Sequence, residues 1–150
     1  MLILIKNVDL FAPQHRGRQN ILICGDKIAE IAPTITIKAD LVKIIDAEGS
    51  IAIPGLIDQH VHITGGGGEN GLLSRIEPLP VSDCIEAGIT TIVGLLGTDS
   101  ATRSVHSLVA YTKAMNESGI TAYCLTGSYA YPSPTITGSV ANDIIYIQEV

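Results

Sequence analysis

The sequence predicts an α/β protein in which a small β-module precedes strand-helix units with parallel strands. Three observations carry that reading. Residues 1–53 hold short Val- and Ile-rich runs separated by turn residues. From Ile53 onward the rhythm changes to strand, helix, strand. With 46% apolar and 16% charged residues, the chain has enough apolar side chains to bury a core and is not of disordered composition.

Taken in order, residues 2–5, 20–24, 27–31, 34–37 and 42–45 read as strands. Cys24-Gly25-Asp26-Lys27 between two of them is a hairpin signal, and Asp46-Ala47-Glu48-Gly49 is a second turn cluster. The polar stretch 13–18, with His15, reads as a surface loop. The boundary falls between residues 53 and 54. Beyond it, Ser82 is placed to cap a short helix that runs through Ala87 and stops at Gly88, and residues 89–95 follow as a strand of buried type. A second helix is predicted over 101–118. Its core-side residues Val105, Leu108, Val109, Thr112 and Met115 recur on one face, and Gly119 ends it. Residues 121–126 form the next predicted strand, and 142–150 the helix that should lead to another. Such alternation implies a parallel sheet.

A closed eight-stranded α/β barrel needs about 250 residues. About 95 of the 150 remain after the β-module, enough for three strand-helix units. The expectation is therefore an incomplete (β/α)8 TIM barrel preceded by a small N-terminal β-sandwich module, in a chain that is the N-terminal piece of a longer protein. A complete small domain with an open three-stranded sheet would leave parallel edges unpaired, which is poorly tolerated.

The main chemical signal is Pro54-Gly55-Leu56-Ile57-Asp58-Gln59-His60-Val61-His62, an apolar strand ending in two histidines two residues apart. Side chains at i and i+2 of a strand share a face, so His60 and His62 can converge on one metal ion. Alone, such a pair equally fits two strand-end imidazoles bonded to backbone. Asp58 lies on the same face, as a candidate to orient an imidazole rather than as a ligand. The run Gly65-Gly66-Gly67-Gly68 permits a sharp turn and close backbone approach to a ligand, and Glu69 offers a carboxylate to a cation. These residues would also fit a flexible loop with a solvated glutamate. A phosphate loop is disfavoured, because the Gly-x-x-x-x-Gly-Lys-Ser/Thr pattern is missing and Glu69 would repel phosphate. Gly97-Thr98-Asp99 and Gly127-Ser128-Tyr129 follow the second and third strands, at the rim where such barrels build their sites. Without further context, Thr98 fits a local turn bond, and Tyr129, close to Pro132, fits packing.

Other features exclude function classes. A net charge of −6 with 4% aromatic residues argues against nucleic acid. The start, Met1 to Lys6, is too short before its charge for a secretion signal, and no apolar run reaches the roughly 18 residues of a membrane span. Cys24, Cys84 and Cys124 lack metal-type spacing and are expected as reduced thiols in the cytoplasm. His15 and His106 read as structural or solvated.

Through the 54–62 motif after a β-module, the chain resembles the amidohydrolase superfamily of metal-dependent hydrolases. Through the glycine run with Glu69, together with Thr98 and Tyr129, it is similar within that superfamily to the isoaspartyl (β-aspartyl) dipeptidases. The resemblance implies hydrolysis of small isoaspartyl dipeptides at a binuclear Zn2+ centre in the complete enzyme. It makes His60 and His62 ligands of the more buried ion, and places Gly67, Gly68 and Glu69 on the free α-amino group. Thr98 would hydrogen-bond the dipeptide, and catalytic Tyr129 would donate its hydroxyl to the scissile carbonyl oxygen. It also implies a carboxylated lysine (glutamate in some relatives), two further histidines and a catalytic aspartate. No Lys, Arg or His follows Lys113, so this chain alone is expected to be inactive. The full-length protein is expected to be a cytoplasmic homo-oligomer. The same His-x-His start serves cyclic-amide hydrolases and deaminases, and a non-catalytic fragment is the third alternative.

Overall fold

The alternating apolar runs of the first 54 residues pair into one mixed sheet. In this computed structural model all residues are described except Ala39, Leu41 and Asp99. Asp99 of the Gly97-Thr98-Asp99 motif therefore lies outside the described residues. The chain divides into two units, Met1–Pro54 and Gly55–Val150.

In the first unit, β1 (Leu2–Phe11), β2 (His15–Cys24), β3 (Lys27–Ala32), β4 (Val42–Asp46) and β5 (Ile51–Ala52) form a sheet of order β3-β2-β1-β4, with β5 also on β1. β1 runs antiparallel to β2 and parallel to β4 and β5. Val8, Leu10 and Ile21 form its core. β1 and β2 are each ten residues long, longer than the apolar runs suggested, because a bulge lets pairing continue past the polar residues. At the bulge Asn7 adopts φ 60°. Its N–H donates to Asn20 Oδ1 at 3.0 Å, and its side-chain amide donates to both Asp46 carboxylate oxygens at 2.9 and 3.0 Å. Those bonds hold the Asp46 carboxyl below the usual range. His15 lies in β2 rather than in a loop, with Nε2 2.6 Å from Asp9 Oδ1 and its ring stacked on Phe11. Residues 34–37 form no strand, since no partner strand takes up their backbone bonds. The Gly25 hairpin turn is present with φ 63°.

The second unit is built on a parallel sheet of β6 (Leu56–Val61), β7 (Ile89–Gly94) and β8 (Thr121–Cys124), in that order. The helices α1 (Val81–Glu86), α2 (Val105–Glu117) and α3 (Val140–Tyr146) follow the three strands in turn. Ile63, Ile92, Leu108 and Met115 lie in one core with buried Cys84 and Cys124. The stripe expected on α2 is the buried one: Val105, Leu108, Val109, Thr112 and Met115. The helix starts later than residue 101 because Ser104 and Ser107 form a reciprocal capping box, each hydroxyl accepting the other's N–H at 3.1 Å. Ser82 does not cap α1. Pro80 occupies that position and the Ser82 hydroxyl donates to Asp83.

The predicted helix over 142–150 is displaced. Ser139 caps α3, Ile147 is extended at φ −112°, and the chain then runs beside β8, where Cys124 N–H donates to Glu149 O at 2.7 Å. The Ile-Ile-Tyr-Ile run suits helix and strand alike, and the open edge of β8 takes its end. Among the described residues no helix is long and apolar enough to cross a membrane. The three cysteines are free, and burial pushes the Cys84 and Cys124 thiols up.

Candidate active site

β6 delivers His60 as its next-to-last residue, and His62 follows directly after the strand. Pairing with β7 slips between Asp58 and Val61, so the strand is irregular where it carries the histidines. The two rings lie 5.6 Å apart between centroids and stand edge to face. His60 is exposed and His62 half-buried. His62 Nδ1 is 3.2 Å from Leu95 O. With the proton on Nδ1 and donated to that carbonyl, Nε2 keeps its lone pair for a metal, the arrangement common around ligating imidazoles. The ring is packed between two glycines. A Cβ at Gly97 would come within 3.2 Å of His62 Cε1, and one at Gly66 would lie 3.6 Å from ring atom Cδ2. Asp58 does not orient an imidazole: its Oδ1 accepts the backbone N–H of His60 at 3.0 Å, a local turn bond for which Asp is suited. Among the described residues no cluster of three or more His, Cys, Asp or Glu side chains forms a complete metal site. The pair fits one half of such a site.

The glycine run forms a hydrogen-bonded turn. Gly67 pairs with Arg75 in an antiparallel bridge, and Ile76 N–H donates to Gly66 O at 2.8 Å. Gly65 and Gly67 have φ 86° and 71°. A Cβ on them would fall 2.2 Å from Ile76 O and 2.4 Å from Ser74 O. Left-handed backbone and close main-chain approach both demand glycine there. Arg103 fastens the turn: Nε donates to Thr64 O at 2.9 Å, and Nη2 to Gly66 O at 3.3 Å and Ile76 O at 3.2 Å. Sequence reasoning missed Arg103, because a residue 39 positions from Thr64 with no motif around it gives no local signal.

The turn ends at Glu69, whose Oε1 accepts a hydrogen bond from the Thr98 hydroxyl. This bond ties the loop after β6 to the loop after β7. The Thr98 hydroxyl donates its proton to Glu69, and its oxygen keeps acceptor capacity for a further donor. Gly68, with φ 104°, lies in the same turn. Tyr129 sits in the loop after β8 with 76% of its surface exposed. It borders a pocket of about 210 Å3 lined by Leu95 and Leu96 after β7 and by residues 125–129. That loop is anchored by fully buried Asp143 of α3. The Asp143 carboxylate accepts from the Thr126 and Thr137 hydroxyls at 2.5 and 2.6 Å and from the Ile136 and Thr137 N–H groups at 3.0 and 2.9 Å. Burial pushes its carboxyl up, but these four donors outweigh that and hold it well below the usual carboxylate range. Asp143 was also missed, since an Asp next to Asn in a helix first turn reads as a surface residue.

His60, Glu69, Thr98 and Tyr129 thus all lie at the C-terminal ends of parallel strands, where α/β folds place their active sites. Comparison with known proteins first gives the class. A dihydroorotase from Staphylococcus aureus is 33% identical over 114 residues, 76% of this chain and 26% of that protein. An adenine deaminase from Edwardsiella ictaluri is 42% identical over 73 residues, 49% of this chain and 11% of that one. Both are enzymes of the amidohydrolase superfamily.

The particular likeness is narrower. The β-aspartyl dipeptidase of Fervidobacterium islandicum AW-1 matches 100% of this chain at 41% identity, with a TM-score of 0.93 over 41% of its own length. Its complex with β-Asp-Leu dipeptide matches at 42% identity and a TM-score of 0.90, over 39% of that chain. The chain resembles the β-aspartyl dipeptidases of the amidohydrolase superfamily, the resemblance its sequence motifs had carried. It spans about two fifths of those structures and about a quarter or less of the curated relatives named above. No known family profile matches it.

Proposed function

We propose that this chain supplies the metal-binding pair and the substrate-recognising loops of a metal-dependent hydrolase acting on β-aspartyl dipeptides. The observation that carries this reading is the hydrogen bond from Thr98 to Glu69, which fixes a carboxylate at the rim where the histidine pair emerges. In this reading His60 and His62 hold one of two zinc ions, with His62 Nε2 as donor and Leu95 O behind the ring. The metal, when bound, supplies a hydroxide nucleophile at neutral pH. Glu69 accepts the free α-amino group of the isoaspartyl residue, and Gly67 and Gly68 bring backbone close to it. Thr98 keeps the carboxylate aimed. Tyr129 donates its hydroxyl to the β-carbonyl oxygen as charge develops there, a contribution of a few kcal/mol for a donor of this kind. Specificity for the β-linkage follows because an α-peptide carries no amino group where Glu69 requires one. The second unit would open a (β/α)8 barrel, and the sheet of the first would be one layer of a β-sandwich.

A cyclic-amide hydrolase is the competing reading, favoured by the dihydroorotase relative. A catalytically competent protein carrying this chain separates the two. It should cleave β-Asp-Leu and cleave N-acetyl-β-Asp-Leu at least about thirtyfold less efficiently, since an ion pair that the bound dipeptide desolvates costs about 2 to 5 kcal/mol when one partner is lost. Equal cleavage of both compounds, or turnover of dihydroorotate instead, overturns the dipeptidase reading.

A further inference from the structure

Asn70-Gly71, directly after Glu69, is the one Asn-Gly dipeptide in the sequence. We propose that Asn70 is a site of spontaneous modification, in which the side chain closes on the Gly71 nitrogen to a succinimide that opens to isoaspartate. The chemistry needs only this loop and water, so it stands apart from the dipeptidase reading.

The five asparagines differ in what restrains them. The carboxamide of Asn7 is bonded to Asp46, that of Asn20 to Pro33 O and Asn7 N, and that of Asn116 to Ala122 N and O. Asn142 lies in α3, where the next amide, Asp143 N–H, donates to Ser139 O at 2.9 Å. The exposed Asn70 carboxamide forms no hydrogen bond among the described residues. The residues after the other four, Val8, Ile21, Glu117 and Asp143, carry side chains that shield the peptide nitrogen, whereas Gly71 does not. Even an added Cβ at Gly71 would meet nothing within 4 Å. Asn70 and Gly71 lie past the glycine turn, and apart from the Ser74 N–H and hydroxyl on Gly71 O at 3.0 and 2.8 Å, which leave the Gly71 nitrogen itself unhindered, they are held by two long bonds. Gly71 N–H donates to Gly68 O at 3.1 Å and Asn70 N–H to Ser74 Oγ at 3.3 Å, both in exposed backbone that opens at little cost.

The steps balance without an oxidant or reductant. Hydroxide removes the Gly71 amide proton, the nitrogen attacks Asn70 Cγ, and the bond from Cγ to the side-chain nitrogen breaks to release ammonia. Water then adds to one imide carbonyl. Opening at the main-chain carbonyl leaves Gly71 linked through the β-carboxyl, as isoaspartate; opening at Cγ leaves aspartate. Either product puts a new carboxylate beside Glu69, and isoaspartate also lengthens the main chain there by one methylene.

The test ages the full chain in mildly alkaline buffer and cleaves it with a Glu-specific protease. Cleavage after Glu69 and Glu86 releases residues 70–86, the Glu77-Pro78 bond being resistant. Fragmentation mass spectrometry then separates isoaspartate from aspartate at each asparagine. Isoaspartate at residue 70 should exceed that at residues 7, 20 and 116 by at least about tenfold, equivalent to about 1.4 kcal/mol of barrier. It should form faster as pH rises and should be lost in Asn70→Gln, whose longer side chain closes a ring reluctantly. A folded chain in which residue 70 gains no more isoaspartate than the other three overturns the proposal.

Discussion

Replacing Thr98 by Val keeps the β-branched shape and deletes the hydroxyl that donates to Glu69. A hydrogen bond to a charged acceptor contributes about 1.5 to 3 kcal/mol when shielded. Both partners here are exposed, so water competes and about 1 kcal/mol is the appropriate scale. In a competent protein carrying this chain, kcat/KM for β-Asp-Leu should therefore fall about fivefold, with unchanged metal content by elemental analysis. Under the proposed function Glu69→Gln removes the counter-charge of an ammonium that binding desolvates, and should cost at least about thirtyfold. The double variant decides the route. If Thr98 acts by aiming Glu69, adding Thr98→Val to Glu69→Gln changes kcat/KM by less than about twofold, a coupling of roughly 1 kcal/mol. If the two losses multiply instead, Thr98 touches the dipeptide on its own account and the reasoning from the hydrogen bond is refuted.

Three further outcomes are expected. His60→Ala or His62→Ala should abolish most metal binding, while Gly97→Ala, whose methyl would crowd the His62 ring at 3.2 Å, should weaken it by about tenfold; unchanged zinc affinity in Gly97→Ala would mean that ring position does not matter. Arg103→Ala takes the side-chain donor from Thr64 O and Ile76 O, while Gly66 O keeps the Ile76 N–H, and should lower stability by about 2 kcal/mol, read as a shift in urea midpoint at constant slope, with Arg103→Lys recovering only part. Asp143 has a carboxyl held below its unfolded value, so its contribution is present above about pH 4 and fades as pH falls below that; Asp143→Asn should flatten the acid limb of a stability-pH curve, and an unaltered limb would contradict the assignment.

Local signals were legible in the sequence where one residue type has one physical use. The α2 stripe, the Gly25 hairpin and the stop at Gly119 follow from periodicity and backbone preference, and the structure has them at those residues. The histidine pair was legible as two neighbouring rings, which the structure places 5.6 Å apart between centroids. Long-range partners left no trace. Arg103 crosses 39 residues to reach Thr64 O, and Asp143 gathers donors from two loop segments, with nothing in the neighbouring residues to announce either. The end of the chain misled for a different reason. Its Ile-rich run suits helix and strand alike, and the β8 edge decided.

The turn of four glycines also sets how this region can change over evolutionary time. A low-complexity run on a protein's surface ordinarily drifts freely. Here Gly65 and Gly67 each meet two separate prohibitions, a positive φ and a main-chain oxygen where a Cβ would stand. Alanine, the mildest substitution elsewhere, is at these positions as severe as filling a packed interior. A saturation library scored for folding should therefore find residues 65 and 67 as intolerant as Leu108 or Ile92, and exposed Leu73, a few residues on, permissive.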